Sequence, residues 1–208
     1  DAETELRNSI IGALQQSTTK LISANLIFQN LRINPVIYRL SKYLNNRDIK
    51  IKLLWADAGG SALAKRDMPE FSNVIYSFRD FEKEINKIST DNIVIVVNPQ
   101  PYDFDDFESI CKTYNGIILM INGRLEETSI GVGTVGRERR REFICLWDRI
   151  YWLQSIQNGA IYKLFNTKWN LYSYKPDGFR YLKSFEDKPN EEDIITEIDT
   201  KTHDGPNN

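Results

Sequence analysis

At 208 residues and 24.2 kDa the chain can bury one substantial core, and its 41% apolar and 27% charged residues match an ordinary soluble domain. No apolar run approaches the roughly 20 residues needed to cross a bilayer, and a net charge of −2 excludes the strongly basic balance of a general nucleic-acid binder. A single histidine, His203, and two separated cysteines, Cys111 and Cys145, exclude histidine triads and zinc clusters.

Leu6, Ile10, Leu14 and Leu21 recur at near-helical spacing and predict an opening helix that runs to about Ser23. A second helix is expected after Pro35, through Val36, Ile37, Leu40 and Leu44, ending near Asn45-Asn46. Ile49–Ala56 reads as a strand, and Ser61–Arg66 starts a short helix behind Gly59-Gly60. Val74–Tyr76 reads as a short strand, and Ser77 with Asp80 fits a capping box for a helix to about Ile88.

Asn92–Val97 is an uninterrupted Ile/Val run, the pattern of a parallel strand covered on both faces. Asp103, Asp105 and Asp106 favour the first turn of the next helix, where the dipole welcomes negative charge, and that helix ends near Asn115-Gly116. Gly116–Ile121 is a fourth strand. Phe143, Leu146, Trp147, Ile150 and Leu153 mark one long amphipathic helix. Trp169–Tyr174 and Phe179–Phe185 flank Pro176-Asp177-Gly178 and predict an antiparallel hairpin. Cys111 and Cys145 each fall in an expected helix, as reduced, semi-buried thiols of a non-secretory compartment.

This pattern predicts an α/β fold: a three-layer, Rossmann-like, mostly parallel sheet of about four strands flanked by helices, with a C-terminal antiparallel hairpin. Residues 1–186 form one α/β domain. Residues 187–208, with seven acids against Lys188 and Lys201, form an acidic, partly disordered tail and leave the body mildly basic. A start at Asp1 leads to the expectation of upstream cleavage or trimming.

Three expected strands end in polar turn words at one edge: Asp57-Ala58-Gly59-Gly60, Asn98-Pro99-Gln100-Pro101 and Asn122-Gly123-Arg124. Ligands and partners of open α/β sheets gather in the crevice outside such strand ends. Asp57 reads either as a helix N-cap or as a ligand or salt-bridge partner of arginines. The paired glycines permit close backbone approach or a positive φ. Gly131-Val132-Gly133-Thr134-Val135-Gly136 spells GxGxxG, but it follows its strand by about ten residues and lacks the later acid-tipped strand. It reads as a glycine-rich lead into a helix, and no cofactor or metal is expected.

Arg137, Arg139, Arg140 and Arg141 crowd that helix start and oppose its dipole. They form either a solvated basic face, partly neutralised by Glu138 and Glu142, or an anion site in which free amides and guanidiniums grip carboxylate or phosphate. Arg139 precedes Phe143 by four, so it points toward the packed side and needs a carboxylate partner. Glu126 and Glu127 offer carboxylates near the same edge, but nothing amounts to an activated nucleophile.

Leu53 through Arg66, then Asn98-Pro99-Gln100-Pro101, Asn122 with Leu125-Glu126, Gly131-Val132-Gly133 leading to Arg137 and Arg140-Arg141-Glu142-Phe143, Tyr151 to Leu153, and Trp169 form an ordered set. In that order the chain, over about residues 3–195, resembles a plastid and cyanobacterial family. The family includes the low-photosystem-II-accumulation assembly factors, and a similar domain is appended to a plastid adenylate kinase. Trp55-Ala56-Asp57 departs from the usual phenylalanine-proline-aspartate wording and relaxes that turn. No catalytic residues carry over.

The resemblance implies a chloroplast protein, stromal or thylakoid-associated, or a cyanobacterial cytoplasmic one. It implies a non-enzymatic assembly or scaffold factor whose partners are photosystem or antenna proteins, with peripheral thylakoid contact and no nucleic acid. Trp147, Tyr151, Trp152, Trp169, Tyr172 and Tyr174 supply aromatics for such an interface or for the core. The alternative is a binding protein or enzyme for a small anionic ligand, held by Arg137, Arg140 and Arg141 and contacted by Asp57, Gly59 and Gln100. Both readings place the site on Asp57, Gly59, Gly60, Asn98, Gln100, Asn122, Arg124, Arg137, Arg140 and Arg141, and both require these loops to converge on one rim.

Overall fold

The computed structural model describes residues 1–125 and 133–203. The chain opens with α1 (Ala2–Gln16), capped by Asp1, whose carboxylate accepts the Glu3 and Thr4 amides. It continues through β1 (Leu21–Ile27), α2 (Ile33–Asn45), β2 (Ile51–Trp55), α3 (Ala58–Asp67), β3 (Ile75–Ser77), α4 (Phe78–Glu84) and β4 (Ile93–Val97). Next come α5 (Phe104–Thr113), β5 (Ile118–Ile121), α6 (Thr134–Cys145) and β6 (Asp148–Ile156). Strands β7 (Gly159–Lys163), β8 (Trp169–Lys175) and β9 (Gly178–Phe185) follow, and α7 (Glu191–His203) closes the described chain.

All nine strands join one mixed sheet in the order β3-β2-β4-β5-β1-β6-β7-β8-β9. The pairings from β3 to β6 are parallel, and those from β6 to β9 are antiparallel. Connections between parallel strands are right-handed in nearly all folds. The crossovers through α2 and α3 run toward the β3 edge, whereas those through α4, α5 and α6 run the other way, so the two sets must cover opposite faces. The core divides accordingly. Leu53, Ile95 and Ala24 pack with α1, α2 and α3 residues, while Leu54, Val94, Val96 and Ile118 pack with Phe78, Phe107 and Phe143. That two-sided cover is why β4 is all Ile and Val.

The four expected strands and the hairpin are present, but a sheet of about four strands undercounts this one. The opening helix does not reach Ser23. It stops at Gln16, where Ser17 turns extended, and Leu21 starts β1. Ile22, Ala24 and Leu26 face one layer while Ser23 and Asn25 face the other, all buried, so tertiary pairing overrides the helical spacing of the leucines.

The long helix expected through Phe143 and Leu153 is also two elements. Helix α6 tightens and ends after Cys145, with the Leu146 amide on the Phe143 carbonyl, and Ile150 and Leu153 belong to β6. Parallel pairing with β1 decides that stretch. Cys111 is partly buried, whereas Cys145 is exposed, not semi-buried.

Within the acidic segment, α7 places Glu191, Glu192 and Asp193 in its first turn, where the dipole favours them. Its Ile194 and Ile198 pack against the cluster of Trp152, Ile161, Trp169, Leu171 and Leu182. One face of the antiparallel strands is thereby covered.

Gly159 begins β7 in a space with no room for a side chain: a Cβ there would lie 2.2 Å from the Tyr172 carbonyl oxygen of β8. Gly159→Ala is expected to destabilise the fold by about 1–3 kcal/mol through forced backbone displacement. A urea titration followed by circular dichroism measures it, and an unchanged midpoint would contradict the tight β7–β8 contact.

Candidate functional site

Strands β2, β4, β5 and β1 are parallel neighbours, so the loops after them leave from one edge. Asp57 is the N-cap of α3, and its carboxylate accepts the Gly60 amide at 2.7 Å. Gly59 and Gly60 lie inside the first turn of α3, and neither has a positive φ. Their smallness serves close packing instead: a Cβ on Gly60 would crowd Trp55 at 3.2 Å.

Asn98 and Asn122 directly follow β4 and β5 with φ of 52° and 53°. Asparagine tolerates that left-handed conformation better than most residues. The Asn98 amide donates to the Ile121 carbonyl, and the Asn122 amide donates to the Ala24 carbonyl, so each ladder runs one residue past its strand. The Asn122 side chain then adds a rung of its own. Its Oδ1 accepts the Leu26 amide at 2.6 Å and its Nδ2 donates to the Leu26 carbonyl at 2.8 Å, clamping β5 to β1.

The loops are also tied to one another. The Arg124 amide donates to the Pro99 carbonyl, and Gln100 Nε2 donates to the Asn98 carbonyl at 2.9 Å. Asp103 accepts the Gln100 amide at 2.8 Å. Burial pushes the Asp103 carboxyl up, helped by the negative charges of Asp57 and Asp106 and opposed by the Gln100 amide. Asp57 therefore acts on the same loop through its charge.

Helix α6 is anchored on α5 by Phe143, whose ring meets Phe104 at 5.3 Å and Phe107 at 5.9 Å. Arg139 binds Asp105 at 3.0 Å and also Glu108, and its guanidinium lies 5.2 Å from the Phe104 ring centre. Glu108 is only 6% exposed, and the Arg139 hydrogen bond, joined by Lys112, holds its carboxyl below the usual glutamate value. Arg140 donates to the Pro101 carbonyl at 2.9 Å and fastens the basic helix start to the Asn98–Pro101 loop. Arg137 and Arg141 are exposed and have no partner among the described residues.

A cleft of about 530 Å³ opens at the carboxyl ends of β1 and β5. Asn98, Asn122 and Arg124 line it, but Asp57, Gly59, Gly60, Gln100, Arg137, Arg140 and Arg141 do not. The remaining lining includes Trp152, expected only as an interface or core aromatic, and Asn25, Phe28, Gln154 and Lys188, which were missed in the sequence. Asn25 lay just past the expected end of the opening helix, Trp152 lay in a stretch read as helical, and Lys188 lay in the tail. Glu126, Glu127, Gly131 and Val132 lie outside the described residues.

Among the described residues, no group of three His, Cys, Asp or Glu side chains could hold a metal ion. Burial pushes the Cys111 thiol far up, with the Glu108 charge adding to it, so this sulfur stays protonated at neutral pH.

The sequence profile of a domain of unknown function, DUF1995, matches residues 2–196. The chain belongs to this family. No curated protein matches it. The DUF1995 match spans every strand of the sheet and the start of α7, so the strand-end loops and the antiparallel strands are parts of one family domain.

Replacing Asn122 tests the clamp. Asn122→Gly keeps the left-handed backbone and removes only the side-chain rung, for an expected loss of about 1–3 kcal/mol as the Leu26 amide and carbonyl lose their partners. Asn122→Ala adds about 1 kcal/mol of backbone strain. Chemical denaturation of both variants measures the difference, and equal stability to the parent chain would refute the clamp.

Glu108 titrates below its ordinary value in the folded chain, so the Arg139 pair adds stability above the unfolded glutamate pKa and loses it as the pH falls through the folded one. Arg139→Met is therefore expected to be less stable than the parent at neutral pH. That gap should narrow on acidification below about 4.5, the ordinary glutamate value. Melting curves across pH check the sign.

Proposed function

We propose that the chain is a non-enzymatic assembly or scaffold factor for a photosynthetic complex, photosystem or light-harvesting, at the thylakoid. Its ordered motifs resemble those of the low-photosystem-II-accumulation assembly factors. The observation that carries the reading is an uncovered aromatic face on the antiparallel strands. Helix α7 covers the side of Trp169 and Leu171. Strand alternation sends Tyr172 and Tyr174 to the other side.

There the Tyr162, Tyr172 and Tyr181 rings meet edge-on at 6.4 Å and 5.9 Å across β7, β8 and β9. Tyr174 contacts Phe179 at 5.2 Å. Tyr174, Phe179 and Tyr181 are 58%, 58% and 55% exposed. A contiguous apolar patch on a soluble domain marks an interaction surface, and aromatic rings concentrate binding energy at interfaces. Trp147, Tyr151, Trp152 and Trp169 belong instead to the core.

Immobilised chain, incubated with detergent-solubilised thylakoids, is expected to retain identified photosystem or antenna subunits. A Tyr174→Ser, Phe179→Ser, Tyr181→Ser variant should keep its circular dichroism spectrum and lose about tenfold or more of that retention. Chain recovered free of these subunits, or a variant that retains them equally, would overturn the reading.

A further inference from the structure

The cleft beside β1 and β5 lies where a sheet of this topology leaves an opening. β1 departs into α2 on one face and β5 departs toward α6 on the other, and neighbouring strands with divergent exits leave a crevice between their carboxyl ends. Its volume, about 530 Å³, falls within the roughly 300–1,000 Å³ of small-molecule sites.

One lining residue is unexplained by the fold. Asn25 on β1 is 3% exposed, yet its Oδ1 is buried with no hydrogen-bond partner among the described residues. The same side chain borders a smaller adjoining cavity lined also by Trp147, whose Nε1 is likewise buried without a partner among the described residues. Buried carboxamides are almost always hydrogen-bonded, and an exception calls for a functional account.

The rest of the lining says what the partner is. Phe28, 40% exposed, and Leu31 give an apolar wall. Trp152 stands on β6, with its Nε1 donating to Gln154 Oε1 at 2.9 Å and the Lys188 ammonium 4.0 Å from its ring centre. Arg124 and Lys188 bring positive charge to the lining, which also carries Glu191.

We propose that this cleft binds a small molecule with a flat apolar ring system, an N–H or O–H donor for Asn25 and a phosphate or carboxylate drawn to Arg124 and Lys188. The site is distinct from the aromatic face of β7 to β9 and does not depend on it.

The full chain is titrated with flavin mononucleotide and with phenyl phosphate by calorimetry and tryptophan fluorescence. Inorganic phosphate and vesicles containing phosphatidylglycerol serve as the other arms. Saturable binding of at least one ring phosphate below about 1 mM is expected, at least tenfold tighter than inorganic phosphate. Phe28→Ala, at an exposed ring, and Lys188→Glu, at a half-buried cation over Trp152 whose folding is checked by circular dichroism, should each weaken it about tenfold, as should Asn25→Leu if that variant folds. Failure of both ring phosphates to saturate, inorganic phosphate binding as tightly, vesicle binding in place of either ring phosphate, or undiminished binding by Phe28→Ala and Lys188→Glu overturns the proposal.

Discussion

Burial of the parallel strands on both faces governs the rest of the molecule. Strand β4 sends Ile93, Ile95 and Val97 into one helical layer and Val94 and Val96 into the other, with every residue at or below 5% exposure. Each such side chain contributes about 1.5–3 kcal/mol when removed from water, and neither layer can be dispensed with. Polar groups have no place along such strands and collect at their ends. Parallel pairing puts those ends on a single edge. The asparagines after β4 and β5 and the aspartate after β2 therefore face the same solvent boundary, and the hydrogen bonds from Gln100 to Asn98, from Arg124 to Pro99 and from Asn122 to Leu26 follow from that crowding.

Legibility in the sequence followed the same physics. The β4 run was readable because an Ile/Val segment without alternation has few other homes. Asn-Pro and Asn-Gly after apolar runs were readable as strand exits, because few residues accept the left-handed backbone found there. Strand β1 was not readable: Ser23 and Asn25 interrupt its apolar residues, and Leu21 extended a helical period that ended at Gln16. Strand β6 was hidden likewise, since Phe143, Trp147 and Ile150 keep helical spacing across the α6–β6 boundary. Losing those two strands concealed the β1 and β6 walls of the cleft, Asn25 and Gln154 among them.

The sheet changes character at β6. On its β1 side it is parallel and covered twice, and on its β7 side it is antiparallel and covered on one face by α7, with Tyr162 of β7 reaching the α1 layer on the other. Trp152 stands at that junction, contacting Trp169 of the antiparallel cluster at 5.4 Å while lining the cleft at the end of β1. The cleft arises from the divergent exits of β1 and β5, and the exposed tyrosine face from the loss of the second helical layer where crossovers give way to hairpins. A hairpin brings no helix with it, so the face it presents stays open unless another element reaches it.

The basic start of α6 shows how an apparent anion site is answered from within. Cationic side chains in a first helical turn oppose the dipole, and in the sequence that mismatch invited an external phosphate or carboxylate. In the folded chain the anion is Glu108, six per cent exposed on α5, which would be costly to bury without a guanidinium beside it. Arg139 meets that need, and Arg140 takes the Pro101 carbonyl in the adjacent loop, while both cations lie near the Phe104 ring. The two arginines at the centre of the cluster therefore hold α6 against α5 and the loop after β4. Positive charge turned outward is left to Arg137 and Arg141, at a helix surface away from the cleft.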